Sequence, residues 1–280
     1  MTELLSERQK AYEDVYDHRI IKRLPLIIRL DGRGFSRLTK RLPRPYCSKM
    51  LDLMANTMLN TAMEVEGAIF AYQQSDEITI VLRNDKSYDS EPWFQNRIQK
   101  IVSITASLAT MFFIKNFSSM DNPPDINNNA IFDCRVFAVP SLQEAANNLI
   151  FRQQDCIRNA ITSAAQAELG KQFGKKTALK LLHNKNSKDR LDLLLTKCSI
   201  DFDKHYPSAF RMGVGAYKIP TLIKDSENMR SKWTLDKNVP SFITDKNFIL
   251  NILHSGVDVF RAERDLKSIA QEEIKEELNV

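Results

Sequence analysis

The chain has no CxxC pair: its four cysteines, Cys47, Cys134, Cys156 and Cys198, stand far apart. That spacing excludes the usual zinc-ligand patterns and, in a protein of 280 residues, argues against a disulfide framework. Ordinary reduced thiols are expected. No apolar run approaches the roughly 20 residues that span a bilayer. The N-terminus, MTELLSERQKAYEDVYDH, is mixed in charge, helical in character and without the apolar core of a signal peptide. These absences point to a soluble, intracellular, cytoplasmic protein with no membrane partner. Internal repeats, low-complexity tracts and long flexible linkers are missing as well.

What is present is a globular composition, 43% hydrophobic and 27% charged, with length for one large domain or two smaller ones. The net charge of +5 is unevenly spread. Between Arg19 and Lys49 lie ten Lys/Arg and one acid, Asp31; between Lys171 and Arg190 lie seven and one acid, Asp189. Two basic blocks suit a polyanion such as nucleotide or RNA, although solvated helix faces share the pattern. The end, QEEIKEEL, is acidic.

Residues 24–31 (LPLIIRLD) read as a buried strand. Ser48 has the chemistry of an N-cap for a helix carrying Leu51, Met54, Met58, Ala62 and Val65, with Gly67 placed as its C-cap. AIFAYQQ (68–74) and EITIVL (77–82) are two strands separated only by Ser75 and Asp76, a tight hairpin. A helix pattern covers 91–116, and IFDCRVFAV (131–139) is a fourth strand. The order β-α-β-β-α-β predicts an α+β fold, a ferredoxin-like antiparallel sheet covered by helices on one face. A helix over 141–168, a basic helical segment over 174–197, a strand over 210–219 and a helical region from about 245 follow. Residues 1–140 are expected to form one region and 141–280 a mainly helical one, with small β additions, packed on it.

In a βαββαβ sheet the first and third strands are central neighbours. Asp31 ends the first and Asp76 lies in the turn that opens the third, so antiparallel pairing brings the two acids to one sheet edge. Two close carboxylates repel unless a proton or cation lies between them. Oxygen ligands select Mg²⁺ or Mn²⁺, the Gly32 carbonyl offers a third ligand, and Arg29, Arg33 and Arg37 can offset phosphate charge. This is the make-up of a two-metal nucleotidyl-transfer site. Turn acids, a common role for aspartate, share the spacing.

RLDGRGF, AYQQSDEITIVL, NRIQKIVS, FDCRVF followed by VPS, and FRQQDCIRNAI occur in the order and spacing of the tRNA-histidine guanylyltransferase superfamily, which adds nucleotides in the 3′-to-5′ direction. The resemblance covers roughly residues 5–165. It implies a polymerase- or cyclase-type palm over 1–140 and two Mg²⁺ on Asp31, the Gly32 carbonyl and Asp76. It also implies a nucleotide site from Asp31, Gly32, Arg33, Gly34, Phe35 and Ser36 with Arg44, Ser75 and Asp76. Arg97, Lys100 and Ser103 match a family motif that faces triphosphate or RNA. Glu77 is a further catalytic candidate, assisting the site or simply beginning its strand. Arg152, Arg158 and Asn159, with Lys175, Lys176 and Lys180 of the basic segment, are the RNA-contact candidates.

The sequence departs from the family's template-independent branch in three places. Ile157-Arg158-Asn159-Ala160-Ile161-Thr162-Ser163 replaces a His-Ile-Asn-Asn-Leu-Tyr-Asn run, Ser36 replaces a histidine, and Arg44-Pro45-Tyr46-Cys47 replaces a Lys-Pro-Asn-Asp-like stretch. These changes resemble the guanylyltransferase-like branch, which repairs tRNA 5′ ends against a template. ATP or GTP as activating substrate, further NTPs, tRNA as partner and a homotetramer are what the resemblance implies. Template-independent tRNA-histidine guanylylation, a nucleotidyl cyclase and a non-catalytic RNA-binding protein are the alternatives.

Overall fold

The protein is described here by a computed structural model covering residues 4–86, 89–127, 129–222 and 229–258. Its elements run α1 (Leu5–Asp14), β1 (Leu26–Gly32), α2 (Phe35–Leu38), α3 (Ser48–Glu64), β2 (Ala68–Gln74) and β3 (Glu77–Leu82), then α4 (Ile98–Ser119) and β4 (Phe132–Ala138). There follow α5 (Leu142–Phe173), α6 (Lys175–Leu182), α7 (Ser187–Cys198), α8 (Phe202–His205), α9 (Ser208–Met212), β5 (Val214–Leu222), β6 (Met229–Asp236) and α10 (Lys246–Ser255).

One six-stranded sheet, in the order β4-β1-β3-β2-β5-β6 and antiparallel throughout, organises the molecule. β1 and β3 are neighbours, with Asp31 opposite Glu77. β2 and β3 are buried along their whole length, the state expected of strands covered on both faces. The βαββαβ order is as the sequence predicts, and the fold is α+β. The cover differs from expectation. Leu26, Ile28, Leu30 and Ile80 pack beneath α3 and α4, while Phe70, Tyr72 and Val81 pack against Leu149 of α5 and Phe248, Ile249 and Ile252 of α10. Helices therefore close both faces, because side chains alternate along each strand and both sets are apolar.

The 32-residue α5 is about 48 Å long. Ser141 caps its first turn by accepting from the Glu144 N–H at 3.2 Å. Its first half lies on the sheet; its second half, through Ala164, Ala165 and Leu169, gathers α6, α7 and α8 into a separate apolar cluster.

Several boundaries differ from the sequence reading. Helix α4 begins at Ile98 rather than 91, after a 3₁₀ turn (Trp93–Asn96) in which Phe94, Gln95 and Asn96 have positive φ. By length and composition this helix is apolar enough to cross a membrane, contrary to the expectation of no such run; here Ile101, Ala109 and Phe113 are buried in the core against the sheet. Cys47, not Ser48, is the N-cap of α3, and the helix is capped at Val65. Gly67 instead forms the turn into β2, at φ 79°, where a Cβ would lie 2.8 Å from the Arg83 carbonyl oxygen. The basic segment is two helices separated at 183–186, where Asn186 starts α7 with a reciprocal capping box. Residues 208–212 are helical before Gly213 turns the chain into β5. The end of the helical region from 245, including the acidic QEEIKEEL, lies outside the described residues.

Candidate active site

Pairing of β1 with β3 builds the site. The Gly32 N–H donates to the Asp76 carbonyl at 3.1 Å, and the Arg33 N–H to the Ile131 carbonyl at 2.8 Å, so the end of β1 is held between the β2–β3 turn and the approach to β4. The turn has two residues, with Ser75 left-handed at φ 51° and its carbonyl accepting from Gln73 Nε2 at 2.7 Å. Asp31 and Asp76 thereby reach the same sheet edge. Burial raises the Asp76 carboxyl above its ordinary value of 3.8, and the charge of nearby Asp31 raises it further. Among the described residues neither carboxylate has an ion-pair partner. Neighbouring, part-buried acids without an ion-pair partner fit a divalent cation. No cluster of three His/Cys/Asp/Glu occurs among the described residues, so a third protein ligand would be another oxygen, and the Gly32 carbonyl is adjacent.

Gly32 is required for a packing reason as well. A Cβ there would lie 2.4 Å from the Phe35 ring. That ring is buried and packs on Phe113 and Phe132, with centroids 5.7 and 5.3 Å away. Gly34, at φ 73°, turns the chain into α2.

A cavity of about 470 Å³ opens beside the acids, lined by Phe35, Ser36, Arg44, Tyr46, Ser75 and Asp76, with Asn159, Thr162 and Ser163 from α5 as its far wall. Tyr46 is stacked on Phe210 at 4.8 Å. Cys156 also lines it, but burial pushes that thiol up to about 11, so it is neutral at physiological pH and no nucleophile.

Glu77 is held differently from the two aspartates. Its carboxylate is paired with Arg29 at 2.6 Å and with Arg152 Nε at 2.8 Å, the latter a charge contact without hydrogen-bond alignment. Arg152 also pairs with Asp155, which pairs in turn with Arg158. The Arg152 side chain is 7% exposed, and burial pulls its pKa down while Glu77 pulls it up. This buried ionic network beneath Asp31 was not foreseen. Its signal was legible, however: Arg152 and Gln153 interrupt the apolar stripe Leu149, Cys156, Ala160 of α5 at helical spacing.

Not every candidate residue gathers here. Arg33 and Gly34 line a second, wider groove on the other side of α2. Arg97, Lys100 and Ser103 lie toward the opposite sheet edge. Helix α4 starts where Ile98 bonds to the His18 carbonyl, upstream of β1, and reaches the acid edge only near Thr110, which meets Phe132, the partner of Gly32. Thirteen residues of helix separate Arg97 from Thr110, roughly 20 Å. Arg97 is paired with Asp17 there at 3.2 Å. Arg152, a candidate RNA contact, is instead buried against Glu77, since an exposed position would leave that acid under-compensated. Asn159 faces the cavity, and Arg158, Lys175, Lys176 and Lys180 are exposed.

A family profile described as tRNAHis guanylyltransferase matches residues 6–140. An uncharacterised protein of Acanthamoeba polyphaga mimivirus is 30% identical over 192 residues, 61% of this chain and 65% of the viral protein. The tRNA(His) guanylyltransferase of Neurospora crassa is 28% identical over 205 residues, 71% of this chain and 68% of the fungal one. A bacterial tRNA(His) guanylyltransferase-like protein solved with ATP superposes with a TM-score of 0.76 and 30% identity, over 90% of this chain and 99% of its own; solved with GTP, the TM-score is 0.71 at 29% identity, over 89% and 98%. The Saccharomyces cerevisiae tRNA(His) guanylyltransferase, at 21% identity and TM-score 0.66 over 84% and 98%, shares the fold.

Proposed function

The chain belongs to the tRNA-histidine guanylyltransferase superfamily, and from that premise we propose that it is a nucleotidyltransferase that activates the 5′ end of tRNA with ATP or GTP and then adds nucleotides there against a template. One observation carries this reading. Asp31 and Asp76 meet at one sheet edge without an ion-pair partner among the described residues, and Asp76 lines a cavity of nucleotide size, in a chain similar over 90% of its length to a bacterial protein solved with ATP.

In the first stage an oxygen of the RNA 5′-monophosphate attacks the α-phosphorus of ATP, the α–β phosphoanhydride bond breaks, and pyrophosphate leaves. In the second the 3′-hydroxyl of an incoming NTP attacks the activated 5′-phosphorus, its proton passes to solvent and AMP leaves. Asp31, Asp76 and the Gly32 carbonyl are the groups to hold Mg²⁺, which when bound supplies charge neutralisation at the reacting phosphates and acidifies the attacking hydroxyl. The chain's own residues do the rest. Phe35, Ser36, Arg44 and Tyr46 bind and orient the activating nucleotide in the cavity. Glu77, occupied on both oxygens by arginines, positions the end of β1 rather than moving a proton. Residues 1–140 carry the chemistry, and the region beyond 141 contributes the α5 wall and basic surface for RNA.

Repair, rather than dedicated guanylylation of tRNA-histidine, is favoured by where the sequence departs. Asn159, Thr162 and Ser163 belong to the divergent 157–163 stretch, and all three line the cavity beside Ser36 and Arg44, the other divergent sites. The test is incubation of purified protein with Mg²⁺, ATP and a labelled 5′-monophosphorylated tRNA lacking its first nucleotide. Adenylylated RNA and pyrophosphate are expected, with extension once NTPs are present. Asp31→Ala and Asp76→Ala should abolish both stages with unchanged circular dichroism; wild-type-like turnover in either would overturn the assignment.

A further inference from the structure

Helix α2 and the turn that follows it, to Leu42, have two sides. One, with Phe35, Ser36 and Thr39, lines the nucleotide cavity; the other, with Arg33, Arg37, Lys40 and Arg41, lines a separate groove of about 850 Å³ walled opposite by Asp125, Asn127, Asn129 and Ile131. Hydrogen bonds from Arg37 N–H to Gly34, Thr39 N–H to Phe35 and Leu42 N–H to Thr39 keep α2 and the turn after it compact, with the two sets of side chains on different sides. The four cations are exposed, and among the described residues none has an ion pair or side-chain hydrogen bond. Like charges gathered without partners repel one another and add nothing to the fold. One carboxylate, Asp125, faces them.

We infer that this groove holds the ribose-phosphate backbone of the RNA strand whose 5′ end is being extended, an inference that rests on the function proposed above. Position supports it. The groove starts at Arg33, directly after Gly32, and includes Ile131, whose carbonyl binds the Arg33 N–H; it therefore lies on the β4 side of the acids, whereas the cavity lies on the β2 and α5 side. Asp31 and Asp76 stand between the two, where an RNA end entering by one must meet a nucleotide entering by the other. Chemistry supports it as well. A triphosphate transferred with metal would need carboxylate-held ions, and the carboxylate that would help hold them, Asp76, lines the cavity and not the groove. The groove instead offers four Lys/Arg side chains on one wall, suited to successive phosphodiesters, with Asn127 and Asn129 suited to sugar and phosphate oxygens.

The experiment measures binding without turnover: anisotropy of a labelled 5′-monophosphorylated tRNA lacking its first nucleotide, titrated with wild type and with the double variant Lys40→Gln/Arg41→Gln at several salt concentrations, and calorimetry of ATP binding to both. Both residues are exposed, so circular dichroism should be unchanged. RNA affinity should fall about tenfold at low salt, and the slope of log K against log salt should become shallower by about 1.4 to 1.8, two phosphate contacts, with ATP affinity unaltered. Unchanged RNA affinity and slope would overturn the inference. So would a parallel loss of ATP affinity, which would make the groove a triphosphate site. Wild type that binds RNA yet adds no nucleotide would refute the function while leaving the groove to be judged by the variant; wild type that binds no RNA would overturn both.

Discussion

Replacing Arg152 by Met asks whether the network beneath Asp31 is structural. The guanidinium touches Glu77 and Asp155 in a nearly dry setting, with side chains 7%, 10% and 17% exposed. Removing one partner of a buried pair leaves a charge without compensation, which costs about 3–5 kcal/mol. Glu77 keeps Arg29 at 2.6 Å, and Met fills most of the lost volume, so the low end, about 3 kcal/mol, applies. In a chain of this size that lowers Tm by roughly 6–10 °C. The assay is thermal and urea denaturation of wild type, Arg152→Met, Glu77→Met and the double variant. Since the cost is an unpaired charge, the double variant should be more stable than the sum of the singles by about 1.5 kcal/mol or more. Additive effects, or Arg152→Met within about 0.5 kcal/mol of wild type, would mean that the Arg152–Glu77 pair does not stabilise the fold. The same variant should leave the salt dependence of RNA binding unchanged, because Arg152 does not reach solvent.

Two further outcomes follow from the acid edge. Burial raises the Asp76 pKa in the folded state, so as pH rises the unfolded chain loses this proton first, and stability falls between the ordinary value of 3.8 and the raised one. Asp76→Asn should therefore melt higher than wild type in EDTA at pH 7, an advantage that disappears below pH 3.8, and Mg²⁺ should raise the Tm of wild type but not of the variant; a variant less stable at pH 7 would contradict the placement. Gly32→Ala drives a Cβ into the Phe35 ring and should cost about 1–3 kcal/mol, read by denaturation, with part regained in Gly32→Ala/Phe35→Leu. Full stability in the single variant would mean the ring moves freely.

Much of the fold was legible in the sequence because its strands are apolar, β-branched and bounded by turn residues. β2 and β3 match the predicted bounds residue for residue, and the meeting of Asp31 with Asp76 followed from strand order alone. β6 was not legible: as an edge strand, MRSKWTLD carries polar residues and no sustained apolar run. The position of Arg97, Lys100 and Ser103 was legible in principle, since β3 ends away from the acids and the helix after it must begin there; common helical spacing said which face they share but not which end of the sheet they occupy. Arg152 is an RNA-contact candidate in the sequence, but its place on the buried stripe of α5 puts it against Glu77. Its partner Glu77 lies 75 positions earlier, a pairing that only the packing of α5 on the sheet creates.

Templated repair is decided by extension of 5′-monophosphorylated tRNAs lacking their first nucleotide, with ATP, Mg²⁺ and each NTP in turn, across transcripts in which the opposing 3′-side base is varied. Addition of whichever base pairs with that position is expected, on several tRNAs and not on tRNA-histidine alone. Addition of G only, only to tRNA-histidine and regardless of the opposing base, would contradict templated repair.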